Sequence, residues 1–256
     1  MKITAILPVS RPQYLDRVLE SLKNQTLKPN NLLVVFDGQD SEFIDVRNKI
    51  VGQPYELVLC VKSRNDRMAL SIPDRRVNIA AIHNQIKTII GDTDWIFGIE
   101  DDGVLPPSAL ADLFRMTKTC KNVGMVTGVE LGRWGVKYVG AWRVNDVNDA
   151  SELTSVENKV AEAPLIEEID ACGLYCALIR ADQYKEHTFT FRNGLGPDVN
   201  LGIFIRQRGY KNYINWNIPV IHLNRVENQE IEIHPSEQSK IVKLKLLHGN
   251  IWQSYR

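Results

Sequence analysis

The sequence has almost no charge imbalance, little cysteine and no long hydrophobic run, and each lack excludes something. Its 31 Lys and Arg residues are matched by 31 Asp and Glu among 256 residues, so no global field draws it to nucleic acid or an anionic membrane. A local basic patch stays compatible with that balance. No apolar stretch approaches the roughly 20 residues a membrane-spanning helix needs. The start, MKITAILPVS, is too short and too quickly broken by Pro8 to act as a signal peptide. The four cysteines, Cys60, Cys120, Cys172 and Cys176, lack the paired spacing of a metal finger. Buried, reduced thiols in a cytoplasmic protein are the expectation. Repeats, low-complexity tracts and linkers are missing too. One domain with a C-terminal extension is therefore expected, with a length and a 44% hydrophobic content that suffice for a substantial core.

What is present is an alternation of strand and helix signals over the first hundred residues. Ile3–Val9 is an apolar, strand-like run, followed by a helix with Pro12 in its first turn and Leu15, Val18, Leu19 and Leu22 on one face. Leu32–Phe36 and Trp95–Ile99 read as further buried strands, Leu57–Val61 reads as another strand, and Ile79, Ile82, Ile86 and Ile89 trace a helical face. Such alternation predicts α/β architecture with a mostly parallel sheet covered on both sides. The second half is more mixed. Residues 107–117 and 198–208 are helical in pattern, the latter closed by Gly209. Residues 123–126, 136–144, 171–179 and 213–221 are strand-like, and the polar stretch 146–163 reads as a loop or flap. Residues 236–255 carry Ile241, Leu244, Leu247, Ile251 and Tyr255 at helical spacing, the pattern of a helix packed on or near the active site.

The richest stretch is Trp95–Pro107, WIFGIEDDGVLPP. An apolar strand ends abruptly in Glu100, Asp101 and Asp102. That puts three carboxylates at the C-terminal tip of a buried strand, where open α/β sheets bind ligands. Packed so closely, they need a cation or hydrogen-bond donors to stay ionised, and hard oxygen ligands suit Mg²⁺ or Mn²⁺. A solvated acidic turn is the competing reading. Other polar groups also fall at strand ends or helix starts: Pro8, Ser10 and Arg11 after the first strand, Asp37 after the second, Asp198 opening a helix after Gly-Leu-Gly-Pro, and His222 after Ile218–Ile221. Individually, Asp37 reads equally well as a turn residue, Asp198 as a helix cap and His222 as a satisfied strand-end histidine.

The order of these segments is more specific than any one of them. ILPVSRPQYLDRVLESLKNQT, LLVVFDGQD, WIFGIEDDGVLPPSAL, CGLYCALIRADQY, GPDVNLGIFIRQRGYK and IPVIH together resemble a family 2-type glycosyltransferase with the GT-A fold, across residues 3 to 222. The resemblance implies a Rossmann-like, mostly parallel central sheet flanked by helices, with a mixed acceptor-side half. Residues 1–225 form the domain and 226–256 the extension. It implies an inverting enzyme that moves a sugar from a nucleotide sugar, a UDP-sugar before others, to an acceptor hydroxyl with the help of Mn²⁺ or Mg²⁺. Pro8, Ser10, Arg11 and Asp37 line the nucleotide pocket in this reading, with Asp37 on the base. Glu100 and Asp101 belong to the donor site, Asp102 and His222 bind the metal, and Asp198 is the catalytic base. Arg76, on the helix before the acidic strand, reaches the diphosphate or donor sugar, whereas Arg75, Asn78 and Asn84 read as a solvated face.

The chain departs from the family twice. Pro197 stands where an acid usually precedes the base, and Glu100 replaces the first aspartate of the Asp-x-Asp pair. The first departure supports an alternative, a catalytically silent GT-A domain that binds a nucleotide or glycan. A nucleotidyltransferase ranks below both, because the loop after the first strand, SRPQYLDR, has no glycine. The sole Arg-Trp pair, Arg133-Trp134, precedes Asp198 and so lacks the place it has in processive synthases. The acceptor stays open between a glycan, a lipid-linked sugar, a protein side chain and a modified DNA base. Trp134, Tyr138 and Trp142, interleaved with Arg133 and Arg143, fit either sugar stacking or core packing.

Overall fold

The computed structural model describes residues 1–63, 72–130, 138–159, 166–226 and 229–233. An eight-stranded sheet forms its centre. Four strands, β1 (Ile3–Val9), β2 (Asn31–Phe36), β3 (Leu57–Lys62) and β4 (Trp95–Ile99), are mutually parallel. β6 (Val123–Val129) and β12 (Lys211–Pro219) pair parallel to each other. Between the two groups runs β11 (Cys176–Arg180), antiparallel to both β4 and β6, and β9 (Ile166–Ile169) closes the far edge antiparallel to β12. The order is β3-β2-β1-β4-β11-β6-β12-β9. Because β11 reverses direction between β4 and β6, the six strands β3, β2, β1, β4, β6 and β12 all end on one edge.

Alternation within the strands makes two cores. Ile6, Leu33 and Val35 face one side, and Ala5, Leu7, Leu32, Val34 and Phe36 face the other, as a period of two requires. The first side is covered by α3 (Ile72–Ile89), α5 (Ala181–Glu186) and α6 (Pro197–Gln207) through Ile82, Ile86, Tyr184, Leu201 and Ile205. The second is covered by α1 (Leu15–Lys23), α2 (Asp40–Ile50) and α4 (Ala109–Thr119) through Leu15, Val18, Leu22, Val46, Leu110 and Leu113. Within the expected Ile79–Ile89 face, Ile82 and Ile86 are buried, whereas Ile79 is exposed. No described helix is long and apolar enough to cross a membrane.

Several local expectations change. The expected loop at 146–163 holds a strand in its described part: β8 (Asp149–Glu157) pairs antiparallel with β7 (Tyr138–Asp146) in a bulged hairpin, and residues 160–163 lie outside the described residues. Its apolar anchors are sparse, with Val156 buried and Leu153 packed near α6, so backbone pairing rather than a hydrophobic period creates the strand. The run 171–179 is two strands. β10 (Ala171–Cys172) joins β7 in a small sheet, and the chain then turns through Gly173–Tyr175 into β11. α2 gave no periodic signal because only Val46 and Ile50 of it are buried. Finally, β13 (Ile221–Val226) starts just beyond β12 and pairs with both β5 (Gly103–Val104) and β14 (Gln229–Ile233). The expected boundary at 225 falls inside that arrangement. Arg133, Trp134 and the expected 236–255 helix lie outside the described residues.

Candidate active site

The shared edge of the six codirectional strands collects the polar residues. β1 delivers Ser10 and Arg11, β2 delivers Asp37, β4 delivers Glu100, Asp101 and Asp102, and the step from β12 into β13 delivers His222. The backbone draws these ends together. The Asp37 N–H donates to the Val9 carbonyl at 2.7 Å, Val220 N–H to Val129 at 2.7 Å, and Leu223 N–H to the carbonyl of Asp102 at 2.7 Å. His222 is thereby placed across from Gly103, one residue beyond Asp102.

Asp101 is 2% exposed and anchors the loop after β1. Its Oδ2 accepts from the backbone N–H groups of Ser10 and Arg11, both at 2.6 Å, and from Ser10 Oγ at 3.3 Å. Its Oδ1 accepts from Arg11 Nε at 2.8 Å. The other arm of the Arg11 guanidinium bonds Asp102 Oδ2. That same Asp102 oxygen lies 3.0 Å from His222 Nε2. Burial opposes the charge on Arg11, but Asp101 and Asp102 outweigh it and raise its pKa. The bonds are charge-assisted, and because both carboxylates are almost dry while Arg11 is 26% exposed they are screened less than surface pairs. Pro8 and Asp37 flank this centre from the ends of β1 and β2.

Sequence reasoning overlooked one residue of the cluster, Glu130, which follows the last residue of β6 on the same edge. It is 5% exposed. Its Oε2 sits 4.0 Å from His222 Nδ1, and its Oε1 has no hydrogen-bond partner among the described residues. The signal was available, since Val123–Val129 is a buried strand ending in an acid, the same pattern that marked Glu100. Burial foremost, then Glu130 and Asp102, pushes the Glu100 carboxyl well above its usual range. Burial and Asp102 do the same to Glu130, partly countered by Arg11.

The charge count tests whether a divalent cation fits. Glu100, Asp101, Asp102 and Glu130 supply four carboxylates, and among the described residues Arg11 is the permanent cation within hydrogen-bond reach of Asp101 and Asp102. Carboxylate oxygens with one imidazole nitrogen are a suitable donor set for Mg²⁺ or Mn²⁺. Among the described residues no three His, Cys, Asp or Glu side chains are already converged as a cage. The fit therefore rests on charge surplus and donor type, with Asp102 and His222 as the residues to hold the ion.

Asp198 stands apart from this cluster, in the first turn of α6. Its carboxylate folds back over Gly196, where a Cβ would come within 2.3 Å of Oδ1, and its Oδ2 lies 3.8 Å from where a Cβ on Gly173 would be. Burial raises its pKa, and the Val199 N–H, its own N–H and Arg76 partly offset this. A short backbone path ties it to the acidic cluster: Gly173 N–H donates to Gly140 at 2.9 Å, and Gly140 N–H to Glu130 at 3.0 Å. α6 itself is clamped where β9 meets β10. Buried Asn212 donates to the carbonyls of Asp170 at 2.7 Å and Gly202 at 3.0 Å, and Arg206 Nε bonds Asp170 at 3.0 Å.

Arg76 bonds the Gly194 carbonyl at 2.6 Å and lies over Phe191. That puts it beside the turn carrying Asp198. Asn84 is not on a solvated face: it exchanges two hydrogen bonds with the backbone of Phe189, at 2.8 and 3.1 Å. Of the aromatics expected on the acceptor side, Tyr138 is exposed and Trp142 packs at the edge of the small core under α6.

No family model matches the chain, and no curated protein matches its sequence. Solved structures do match in fold. A197 from STIV superposes with a TM-score of 0.53 at 13% identity, over 92% of this chain and 91% of that one. The mannosyltransferase PcManGT from Pyrobaculum calidifontis, in complex with GDP-Man and Mn²⁺, superposes at 0.55 with 16% identity, over 82% of this chain and 53% of that one. S. aureus TarS 1–349 scores 0.47 at 12% identity, covering 84% and 57%, too low to carry an argument. The chain thus spans about half the length of PcManGT. The class is set at the level of fold: a mixed α/β protein with a large, mostly parallel sheet between helices, similar to glycosyltransferase folds.

Proposed function

We propose that this protein is an inverting glycosyltransferase that moves a sugar from a nucleoside diphosphate sugar to an acceptor hydroxyl. The observation that carries the reading is the division of charge at one sheet edge. Arg11, Asp102 and His222 form a polar cluster at the ends of β1, β4 and β12, and Asp198 stands separately at the start of α6. A diphosphate leaving group needs positive charge where its negative charge develops. Arg11 supplies a fixed cation, and Asp101 holds the loop that presents it. A divalent cation on Asp102 and His222 would add Lewis-acid neutralisation of the diphosphate. Pro8, Ser10 and Asp37 frame the nucleotide, with Glu100 toward the ribose.

Asp198 takes the proton of the acceptor hydroxyl. The freed oxygen attacks the anomeric carbon, the bond from that carbon to the diphosphate oxygen breaks, and the nucleoside diphosphate leaves with the electron pair. A base facing the leaving group implies inversion, and a retained configuration in the product refutes it. Burial that raises the Asp198 pKa suits a proton acceptor working near neutrality. Arg76, seated on Gly194, steadies the turn that presents Asp198. A UDP-sugar is the first donor to test; the similarity in fold to a GDP-mannose-binding enzyme makes GDP-mannose the second.

A thermal-shift panel of UDP, GDP, CDP, dTDP and their sugars, with and without Mn²⁺, tests the reading on the wild type and Asp102→Ala. Ligand at about 100 times its dissociation constant adds roughly 2.7 kcal/mol of stability. A shift for one nucleotide that requires Mn²⁺ and is lost in Asp102→Ala is the expected result. Binding without turnover would instead favour a silent nucleotide-binding domain. No shift with any ligand refutes both.

A further inference from the structure

We propose that Glu130 is a positioning residue for His222: it holds the imidazole through Nδ1 so that Nε2 is presented to the cation site beside Asp102. The inference rests on the glycosyltransferase reading and adds a residue that neither the motifs nor the fold comparisons identify. The two imidazole nitrogens of His222 face two different carboxylates, Nε2 at 3.0 Å from Asp102 Oδ2 and Nδ1 at 4.0 Å from Glu130 Oε2. A neutral imidazole has one donor nitrogen and one acceptor nitrogen. If Nε2 is to give its lone pair to a cation, the proton belongs on Nδ1, the nitrogen that Glu130 faces.

The backbone leaves this task to a side chain. His222 is fixed along the strand by its pairing with Gly103 and by the Leu223 N–H bond to Asp102, but strand pairing does not set the rotation of a ring. Asp102 and Arg11 lie on the Nε2 side. Glu130 lies on the other. It is buried, its Oε1 has no hydrogen-bond partner among the described residues, and that oxygen comes within 3.7 Å of where a Cβ on Gly103 would sit. A buried carboxylate with a free acceptor is costly unless it serves a neighbour. Metal-ligating histidines characteristically give their second N–H to a carboxylate, which fixes tautomer and orientation.

Mn²⁺ binding to the full chain, read from the EPR signal of free Mn²⁺ with and without UDP or GDP, tests the proposal independently of turnover. The variants are Glu130→Met, which keeps the volume and removes the acceptor, Glu130→Gln, which keeps an oxygen acceptor without charge, and His222→Ala. Glu130→Met is expected to weaken Mn²⁺ binding by roughly 10–100-fold, and Glu130→Gln to recover most of that loss. Equal losses in Glu130→Met and Glu130→Gln overturn the proposal, because charge rather than orientation would then be what Glu130 contributes. So does Mn²⁺ affinity unchanged in Glu130→Met while His222→Ala loses it, a result that leaves the glycosyltransferase reading standing. Absence of Mn²⁺ and nucleotide binding in the wild type overturns both.

Discussion

Replacing Gly202 by alanine reverses a common rule and reports on how the candidate base is seated. In the middle of a helix, Gly→Ala normally stabilises by about 1 kcal/mol, since glycine loses more backbone freedom on folding. Gly202 lies in the middle of α6 at the point where the helix meets β10. A Cβ there would come 2.6 Å from Ala171 Cα, 2.7 Å from Ala171 Cβ and 2.8 Å from the Asp170 carbonyl. Two of these neighbours are backbone, and Asn212 bridges the same two segments, so neither side yields easily. Overpacking costs roughly 1–3 kcal/mol, and against rigid backbone the upper part of that range applies. The net change is a loss on the order of 1–2 kcal/mol, or a few degrees in melting temperature for a chain of this length. Urea denaturation measures it directly. Nucleoside diphosphate release should fall as well, because α6 carries Asp198. Gly209→Ala is the control: its φ of +82° makes alanine strained, but nothing lies within 4 Å of the added carbon, so it costs about 1 kcal/mol and leaves release unchanged. A Gly202→Ala variant as stable as the wild type, or more so, refutes the close-approach argument.

Two further outcomes follow from the same structure. His83 is buried against Tyr184 and Phe189, and His187 against Phe189 and Phe204, and burial holds their pKa values down to about 3 and about 4. The unfolded chain gains these protons near the usual value of 6.5, whereas the folded chain resists them. Stability is therefore complete above that pH and falls as pH drops toward 4, by up to about 1.4 kcal/mol per pH unit for each histidine. Glu100 and Glu130, with raised values, act in the opposite sense, so the comparison to make is wild type against His83→Asn. The variant should flatten the dependence of unfolding free energy on pH between about 6 and 5 by nearly the full single-histidine slope, and an unchanged slope refutes the assignment. Asp198→Asn should lower the rate of sugar transfer by roughly 10²–10⁴-fold while leaving nucleotide binding intact; a fall of less than about tenfold removes Asp198 as the base.

The parallel half of the fold was legible in the residues because β1, β2 and β4 are buried on both faces, β3 at the sheet edge keeps an apolar run, and α1 is amphipathic. Ile3–Val9, Trp95–Ile99 and the Leu15–Leu22 face appear where the pattern put them. Of the β7–β8 hairpin, β7 was legible as the strand-like run 136–144, but β8 was not, since it is held by backbone pairing and carries few apolar anchors. Nor was the break at Gly173, where a continuous apolar run changes sheets because two partners, β7 and β4, compete for it. Sequence by itself determined which side chains sit at strand ends, since an apolar run that stops at an acid or arginine marks its own terminus. Only the tertiary structure decided which of them meet. Strand order brings Arg11, Asp101, Asp102, Glu130 and His222 together from four separate strand ends, and the direction of β11 decides that all of them share one edge. It also set Asn84 to staple Phe189, and turned Asp101 inward to anchor the loop after β1. Those are choices of packing geometry, which no local pattern encodes.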